Sequence, residues 1–401
     1  MPLLSFADAK SALLAAARPI PESETIDLAD ASGRVLADDL RSPIDVPGFD
    51  NTAMDGYAVR AADVASAGTR LPVSQRIAAG SFPEALPPAS AARIFTGAPL
   101  PAGADAVVMQ EDCREADGIV TIDAPPPTGQ HVRRAGSDIA RDSIALPAGT
   151  RLSAAALGLA SSIGIARVRV RRRLKVAIFF TGSELVMPGT PLAAGQIYNS
   201  NRYVLRGFLR EAGAEVIDLG IVRDDLAATR AALREAAHEA DLILTSGGMS
   251  EGEEDHVKPA VEAEGRIDVW KIAAKPGKPL AFGDVTSGGR SVAFVGLPGN
   301  PVSVWAGLLT LVRPFLRAME GDRELEPPLL KLRADFDYTV KGNRLEFVRV
   351  RRNTDGGLDI FRTQDSAVLS SAVWADGVAP LPAGTTVRPG DLVDYLPGPP
   401  R

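Results

Sequence analysis

The residues most able to do chemistry lie in three glycine-rich words. The first, TSGGMS at 245–250, follows the apolar run of Leu242, Ile243 and Leu244. Gly247 and Gly248 let the backbone turn tightly and present amides to an anion, while Ser246 and Ser250 add hydroxyl donors. The same glycines would also serve an ordinary strand-to-helix turn. Glu251, Glu253, Glu254 and Asp255 come directly after. Four carboxylates beside an anion cradle make sense when a cation intervenes, and Mg²⁺ held by one or two carboxylates plus phosphate oxygens is the usual solution. Asp255 is the expected ligand. Glu253 and Glu254 read as surface, and His256 as an exposed helix residue, because no His or Cys lies at ligand spacing from it.

The second word, TGSEL at 181–185, also ends an apolar run and offers Glu184 to the same sheet edge as Asp255. GQIYNSN at 195–201 follows, where Asn199 or Ser200 either caps a helix or meets a ligand. The third word, GLPGNPVS at 296–303, sets Pro298 and Gly299 ahead of Asn300, a possible cap with Pro301 at the first helical position, and points Ser303 toward any bound anion. Lys271, Lys275 and Lys278 stand in WKIAAKPGKP, where two prolines and a glycine hold lysines on a rigid turn. Several lysines near three anion loops suggest a phosphate or oxyanion pocket. Asp55 in DNTAMDGY and Thr96 in IFTGA are weak turn signals by themselves. Cys113 reads as inert, since Glu111, Asp112 and Glu115 disfavour a thiolate.

The elements that must position these residues follow from patterning. Over 174–321, apolar runs alternate with helical periodicity, which predicts βαβ units and a mostly parallel sheet covered by helices. Ligands of such sheets sit beyond the carboxyl ends of the strands, where the three words fall. An amphipathic helix is expected over 302–319. Ser5 and Asp8 form a capping box for an opening helix that stops before Pro19. Short alternating runs over 57–134 read as a β-rich module, with Pro125, Pro126 and Pro127 as a stiff turn near its end. Strands return after Pro328, over 330–335, 345–350, 358–362 and 392–395. The alternating arginines at 167–173 read as an exposed strand rather than a phosphate track.

The chain has 401 residues, 45% hydrophobic and 23% charged, which suits several globular domains. Gly 38 and Pro 31 argue against an all-helical fold. A net charge of −6 disfavours nucleic acid as a partner. The single cysteine fits a cytoplasmic location. The opening residues do not read as an export signal, and no stretch of ~18 consecutive apolar residues is expected to span a membrane.

The words PGFDNTAMDGYAVR, IFTGAPLPAGADAVVMQED, RRAGSDI, TGSELV, GQIYNSN, SGGMSEGEEDHVK, KPGKP and GLPGNPVS occur in this order along the chain. Together they resemble the molybdopterin molybdenumtransferase (MoeA) family, which includes the E domain of gephyrin. The resemblance implies a multidomain fold: a central three-layer α/β domain at 174–322 and a β-rich module at 51–134. An elongated linker and dimerisation module at 1–50 plus 135–173 and a small β-barrel-like domain at 323–401 would complete it.

It implies an enzyme that takes adenylylated molybdopterin and molybdate, cleaves the adenylate with Mg²⁺, and yields molybdenum cofactor and AMP. By similarity, Glu184 and Asp255 would hold Mg²⁺ or position the adenylate, and Asp138 and Asp224 would complete an acidic wall. Ser246, Gly247 and Gly248 would meet the pterin phosphate, and Lys275, Lys278, Ser303 and Arg344 the molybdate. Asp55 and Thr96 match functional positions of the family. A homodimer with residues of both chains in each cleft is implied, with the molybdopterin adenylyltransferase and molybdoenzyme chaperones as further partners. Glu251 departs from the small or apolar residue that many relatives carry there. Two other readings remain open: a molybdopterin adenylyltransferase, whose likeness would cover only 174–321, and a peptide-binding scaffold like the gephyrin E domain.

Overall fold

The computed structural model describes residues 3–248 and 256–398. Twelve elements build the part that carries the three words. They are β1 (Leu3–Leu4), α1 (Phe6–Ala15), β2 (Lys175–Phe180), α2 (Ser200–Glu211), β3 (Glu215–Ile221) and α3 (Leu226–Glu239). After these come β4 (Leu242–Ser246), α4 (Val257–Glu264), β5 (Gly265–Ile272), β6 (Pro279–Ser287), β7 (Arg290–Leu297) and the helix α5 (Pro301–Met319). Among the described residues they form one seven-stranded sheet in the order β1-β5-β6-β7-β4-β2-β3. β3, β2, β4 and β7 run parallel, as the βαβ pattern predicts, whereas β5, β6 and β7 form an antiparallel meander.

Strand alternation explains the three layers. In β2, Val176, Ile178 and Phe180 enter a core shared with α1, α2 and α5, while Ala177 and Phe179 enter a second core with α3 and α4. Both faces of the strand are therefore apolar, and no solvated face remains.

α1 is capped by Ser5, whose Oγ accepts from the Asp8 amide at 3.1 Å. It corrects one boundary. The opening residues do not join the elongated module: β1 pairs with β5, and Ala9, Leu13 and Ile20 are buried in the α/β core. Continuity along the chain had grouped them with their neighbours, but burial of an apolar helix face decides where they pack. α5 differs too. It is buried around most of its circumference, contains a π turn over Leu308–Val312, and is continuous with a mean hydropathy of 1.3. By length and composition it could cross a membrane, yet Arg313 and Arg317 interrupt its apolar run and 72% of it lies inside the protein.

The β-rich part holds a six-stranded sheet that includes Gly56–Val59, Ala91–Ile94 and Ala106–Met109. Three short antiparallel ladders, together termed the stalk, are Ser23–Asp27 with Arg167–Arg171, Leu40–Arg41 with Ile144–Leu146, and Asn51–Thr52 with Val132–Arg133. In the terminal β part, Leu345–Arg352 pairs with Gly377–Leu381, a strand that the sequence does not announce because Pro380 interrupts it. Leu345–Arg352 also pairs in parallel with Ala274–Lys275, which sews the lysine turn to the terminal domain.

Candidate functional site

Register brings the three words together. Phe180 lies opposite Ser246, and Ser246 opposite Leu297, so adjacent parallel strands end level and release their loops side by side. Those loops floor a cleft of about 1340 Å³, whose far wall comes from the lysine turn and the terminal β domain.

The floor is a set of backbone and amide groups under tension for space. Gly247 and Gly248 have φ of +89° and +65°, and a Cβ on Gly248 would sit 2.4 Å from Val257 Cγ2. Only glycine fits that turn. Gly182, at φ +145°, gives room to Glu184: a Cβ there would come 2.7 Å from Glu184 Oε2, so the carboxylate folds back over its own loop. Asn199 caps α2, its Oδ1 accepting from the Arg202 amide at 3.1 Å. Asn201 Nδ2 donates to the Gly299 carbonyl at 2.7 Å and ties the second word to the third.

Three polar atoms in this floor are buried without a hydrogen-bond partner: Ser246 Oγ, Asn199 Nδ2 and Asn201 Oδ1. Ser246 and Asn199 are 3% and 2% exposed, so water does not generally compensate them. Such groups cost free energy unless something polar meets them, and a ligand in the cleft would. For Asn199, the cap and a ligand contact are compatible: its oxygen holds the helix and its amide nitrogen is left unpartnered.

The far wall is cationic. The turn 272–278 closes with the Ile272 amide donating to the Lys278 carbonyl at 2.8 Å. Lys275, Lys278, Ser303 and Arg344 line the cleft, and Arg344 Nη1 donates to the Ala274 carbonyl at 3.4 Å. Lys275 Nζ lies 3.2 Å from Glu346 Oε1. Of the sequence-predicted residues, Glu184, Asn199, Ser246, Gly247 and Gly248 line the floor, together with Pro298, Gly299 and Asn300.

The terminal domain adds a loop, 360–367, that sequence reasoning missed. Asn300 Nδ2 donates to Ser366 Oγ at 3.0 Å, and the Val302 amide to the Ser366 carbonyl at 3.1 Å, so this loop occupies the cap of α5. Asn300 makes no side-chain cap bond to its own helix; the Ser366 carbonyl takes the Val302 amide in its place. Behind the loop, Arg349 is 1% exposed and donates to the carbonyls of Thr363 and Asp365 at 3.4 and 3.1 Å. Burial pushes its guanidinium pKa down to about 10. The polar run Arg362, Thr363, Gln364, Asp365 and Ser366 was the available signal, but nothing local says which cleft it faces. Asp337 and Tyr338 also line the wall without a sequence signal.

A family model of the MoeA N-terminal region (domain I and II) matches residues 4–164, one of a probable molybdopterin binding domain matches 177–318, and one of the MoeA C-terminal region (domain IV) matches 331–397. A molybdopterin molybdenumtransferase from Haemophilus influenzae is 42% identical over 334 residues, covering 82% of each chain. One from a Nostoc species is 36% identical, covering 91% of this chain and 86% of that one. The chain belongs to the molybdopterin molybdenumtransferase family. Two crystal structures of a MoeA protein from Pyrococcus horikoshii share the architecture: one at 32% identity and a TM-score of 0.77 over 99% of both chains, the other at 28% and 0.84 over 99% of this chain and 100% of that one. The fold class is that of MoeA, a multidomain α/β plus β protein.

Not every residue expected from the molybdopterin molybdenumtransferase resemblance reaches the cleft. Ser250 and Asp255, with Glu251, lie outside the described residues. Lys271 lies on β5, opposite Pro279 and Leu3, before the turn begins, and does not line the cleft. Asp224 follows β3, the edge strand, beside the Asp225 cap of α3, and Asp138 is exposed in the stalk. Of the carboxylates expected to form the acidic wall, Glu184 lines the cleft, whereas Asp138 and Asp224 do not line it. Among the described residues, no three His, Cys, Asp or Glu side chains converge as a metal cage.

Asp55 and Thr96 meet each other, not the cleft. Asp55 Oδ1 accepts from both the Thr96 amide and Oγ1 at 2.7 Å. These two donors hold its carboxyl below the usual carboxylate range. Burial, then the charge of Asp112, pushes the Cys113 thiol up to about 12, in keeping with an inert cysteine.

Proposed function

We propose that this transferase of molybdenum cofactor biosynthesis takes adenylylated molybdopterin and molybdate in the cleft between the α/β and terminal β domains, and releases AMP with the molybdenum-loaded pterin. One observation carries the reading: buried, unpartnered donors of Ser246 and Asn199 lie on the glycine floor, opposite Lys275, Lys278 and Arg344. A phosphorylated ligand satisfies the floor, and a tetrahedral oxyanion suits the cationic wall.

Mg²⁺ fits as an ion shared with substrate phosphates. Glu184 would supply one carboxylate at the floor and Asp255, from its place in the sequence, a second, with substrate phosphate oxygens as further ligands. Bound there, Mg²⁺ would neutralise charge on the phosphates. The protein's own groups do the positioning: the Ser246 hydroxyl and the tight Gly247–Gly248 turn seat the pterin phosphate, the Gly247 amide being already held by the Leu297 carbonyl at 3.1 Å, and Lys275 and Lys278 draw in the oxyanion.

The working form is a homodimer, with Asp55, Thr96 and Asp138 serving the partner's cleft, which accounts for their distance from the cleft of their own chain. A cytoplasmic setting is part of this reading, and a chain with a single cysteine is in keeping with it. Purified protein incubated with adenylylated molybdopterin and Mg²⁺ should release AMP only when molybdate is added, with pterin-bound molybdenum rising in step. Formation of the adenylate from ATP and free molybdopterin, with no release of AMP from the adenylate, would overturn the assignment in favour of the adenylyltransferase.

A further inference from the structure

Glu346 belongs to no glycine word and does not line the cleft, yet it is wired to two residues that do. It is 6% exposed on the strand Leu345–Arg352, directly opposite Lys275 in the parallel ladder. Its Oε1 accepts from Lys275 Nζ at 3.2 Å and its Oε2 from the Tyr338 hydroxyl at 2.5 Å. Burial, then the hydrogen bond to Glu346, keeps the Tyr338 phenol protonated well beyond neutral pH, so it remains a donor. The Lys275 side chain is 44% exposed and points its charge along the boundary between the cleft and this buried carboxylate.

A buried carboxylate with two donors is firmly held, and its negative charge acts on the ammonium at close range. An anion arriving in the cleft therefore meets a lysine whose field is already partly spent. Tyr338 sets how much: by donating to Oε2 it draws charge away from the oxygen that faces Lys275.

We propose that Glu346 is a positioning residue that sets the oxyanion affinity of the cleft through Lys275, with Tyr338 as its brake. The proposal rests on the reading of the cationic wall as the molybdate site. It makes Glu346 a device for holding a tetrahedral dianion loosely enough to pass on, at the cost of tighter binding. Glutamine at this position can keep both contacts, its oxygen accepting from Lys275 and its amide donating to the Tyr338 oxygen, while removing the charge.

The test is calorimetric titration of the full-length protein with sodium molybdate, alongside the molybdate KM for AMP release. Glu346→Gln should tighten the molybdate Kd about tenfold and lower the KM in parallel, since a full negative charge near the dianion is lost. Tyr338→Phe should weaken binding roughly threefold, because the carboxylate is then free to engage Lys275 alone. Opposite signs are the signature. If both variants weaken binding, Glu346 only braces the wall and the proposal fails. It fails too if Asp337→Asn, an exposed carboxylate at the rim, tightens binding as much as Glu346→Gln does, for then any negative charge would serve. If wild-type protein binds no molybdate, the molybdate reading of the wall falls first and takes this proposal with it. Should Glu346→Gln fold poorly, the Tyr338→Phe titration alone decides, and an unchanged or tighter Kd overturns the proposal.

Discussion

Gly248 shows how one residue couples conformation to chemistry. Its φ of +65° and its closeness to Val257 leave no room for a side chain in a loop that lines the cleft. Gly248→Ala should destabilise the protein by about 2 kcal/mol in urea denaturation, from left-handed backbone strain plus the clash. It should also weaken pterin-phosphate binding by more than that loss alone explains, measured as the Kd for molybdopterin on the folded fraction. Equal effects on a ligand-free stability assay and on binding would mean that the loop is structural only. Ser246 makes the complementary point, because an unpartnered hydroxyl at 3% exposure has no reason within the fold.

At the scale of elements, Asp241 holds together segments far apart in sequence. It lies at the entry to β4 and accepts from Arg172 at 2.6 and 2.9 Å, from Arg290 at 2.8 Å and from the Lys175 amide at 2.9 Å. The stalk, β2 and β7 are thereby joined at the end of the sheet opposite the cleft. Burial alone would raise the Asp241 carboxyl, yet the bonds from Arg172 and Lys175 outweigh it and hold the pKa below the ordinary range. A lowered carboxylate pKa contributes stability that is fully present above the unfolded value of about 4 and is lost as pH falls through the folded value. Asp241→Asn should therefore cost about 3 kcal/mol at pH 7, because it strands two guanidinium groups, and the gap from wild type should narrow on acidification below about pH 4. Chemical denaturation at pH 7 and pH 3 measures both; a gap that widens in acid contradicts the sign. Arg172 also answers the question raised by the arginine run at 171–173: its charge is committed to Asp241 and Glu22.

The whole molecule poses the question of why the residues expected to act together are scattered. Asp55 and Thr96 form a tight pair in the β-rich module, while Glu184 sits in the cleft of the α/β domain. A symmetric dimer makes sense of this if each cleft borrows the pair from its partner. Asp55→Asn and Glu184→Gln should each be inactive alone. Mixed after dissociation and reassociation in equal amounts, they should regain about a quarter of wild-type AMP release, since half of the dimers are mixed and each carries one intact cleft. No recovery, with mixed dimers verified by mass, would place both residues in the cleft of a single chain.

Much of the site was legible before any coordinates, because its chemistry is carried by local words. Gly-Gly after an apolar run, a carboxylate two residues past a glycine, and Asn-Pro at a helix start each state a backbone geometry that short-range sterics enforce. The parallel sense of β2, β3, β4 and β7 followed from apolar runs spaced by helical periods, and that parallel sense places their loops at one edge. The family words added the identity of the reaction.

What the chain could not disclose locally was which distant surfaces meet. That α1 packs on the α/β core, that loop 360–367 caps α5, and that Glu346 stands behind Lys275 depend on contacts between segments separated by tens to hundreds of residues. Nothing in the spelling of Phe361 to Ser366 differs from an ordinary polar loop. The amino-acid sequence determined the turns, the strand faces and the donor types, because those are settled within a few residues by steric and apolar periodicity. Only the tertiary structure decided the cleft's far wall, the charge behind its lysine and the separation of Asp55 from Glu184, because those are set by how whole domains bury their remaining apolar surface against one another.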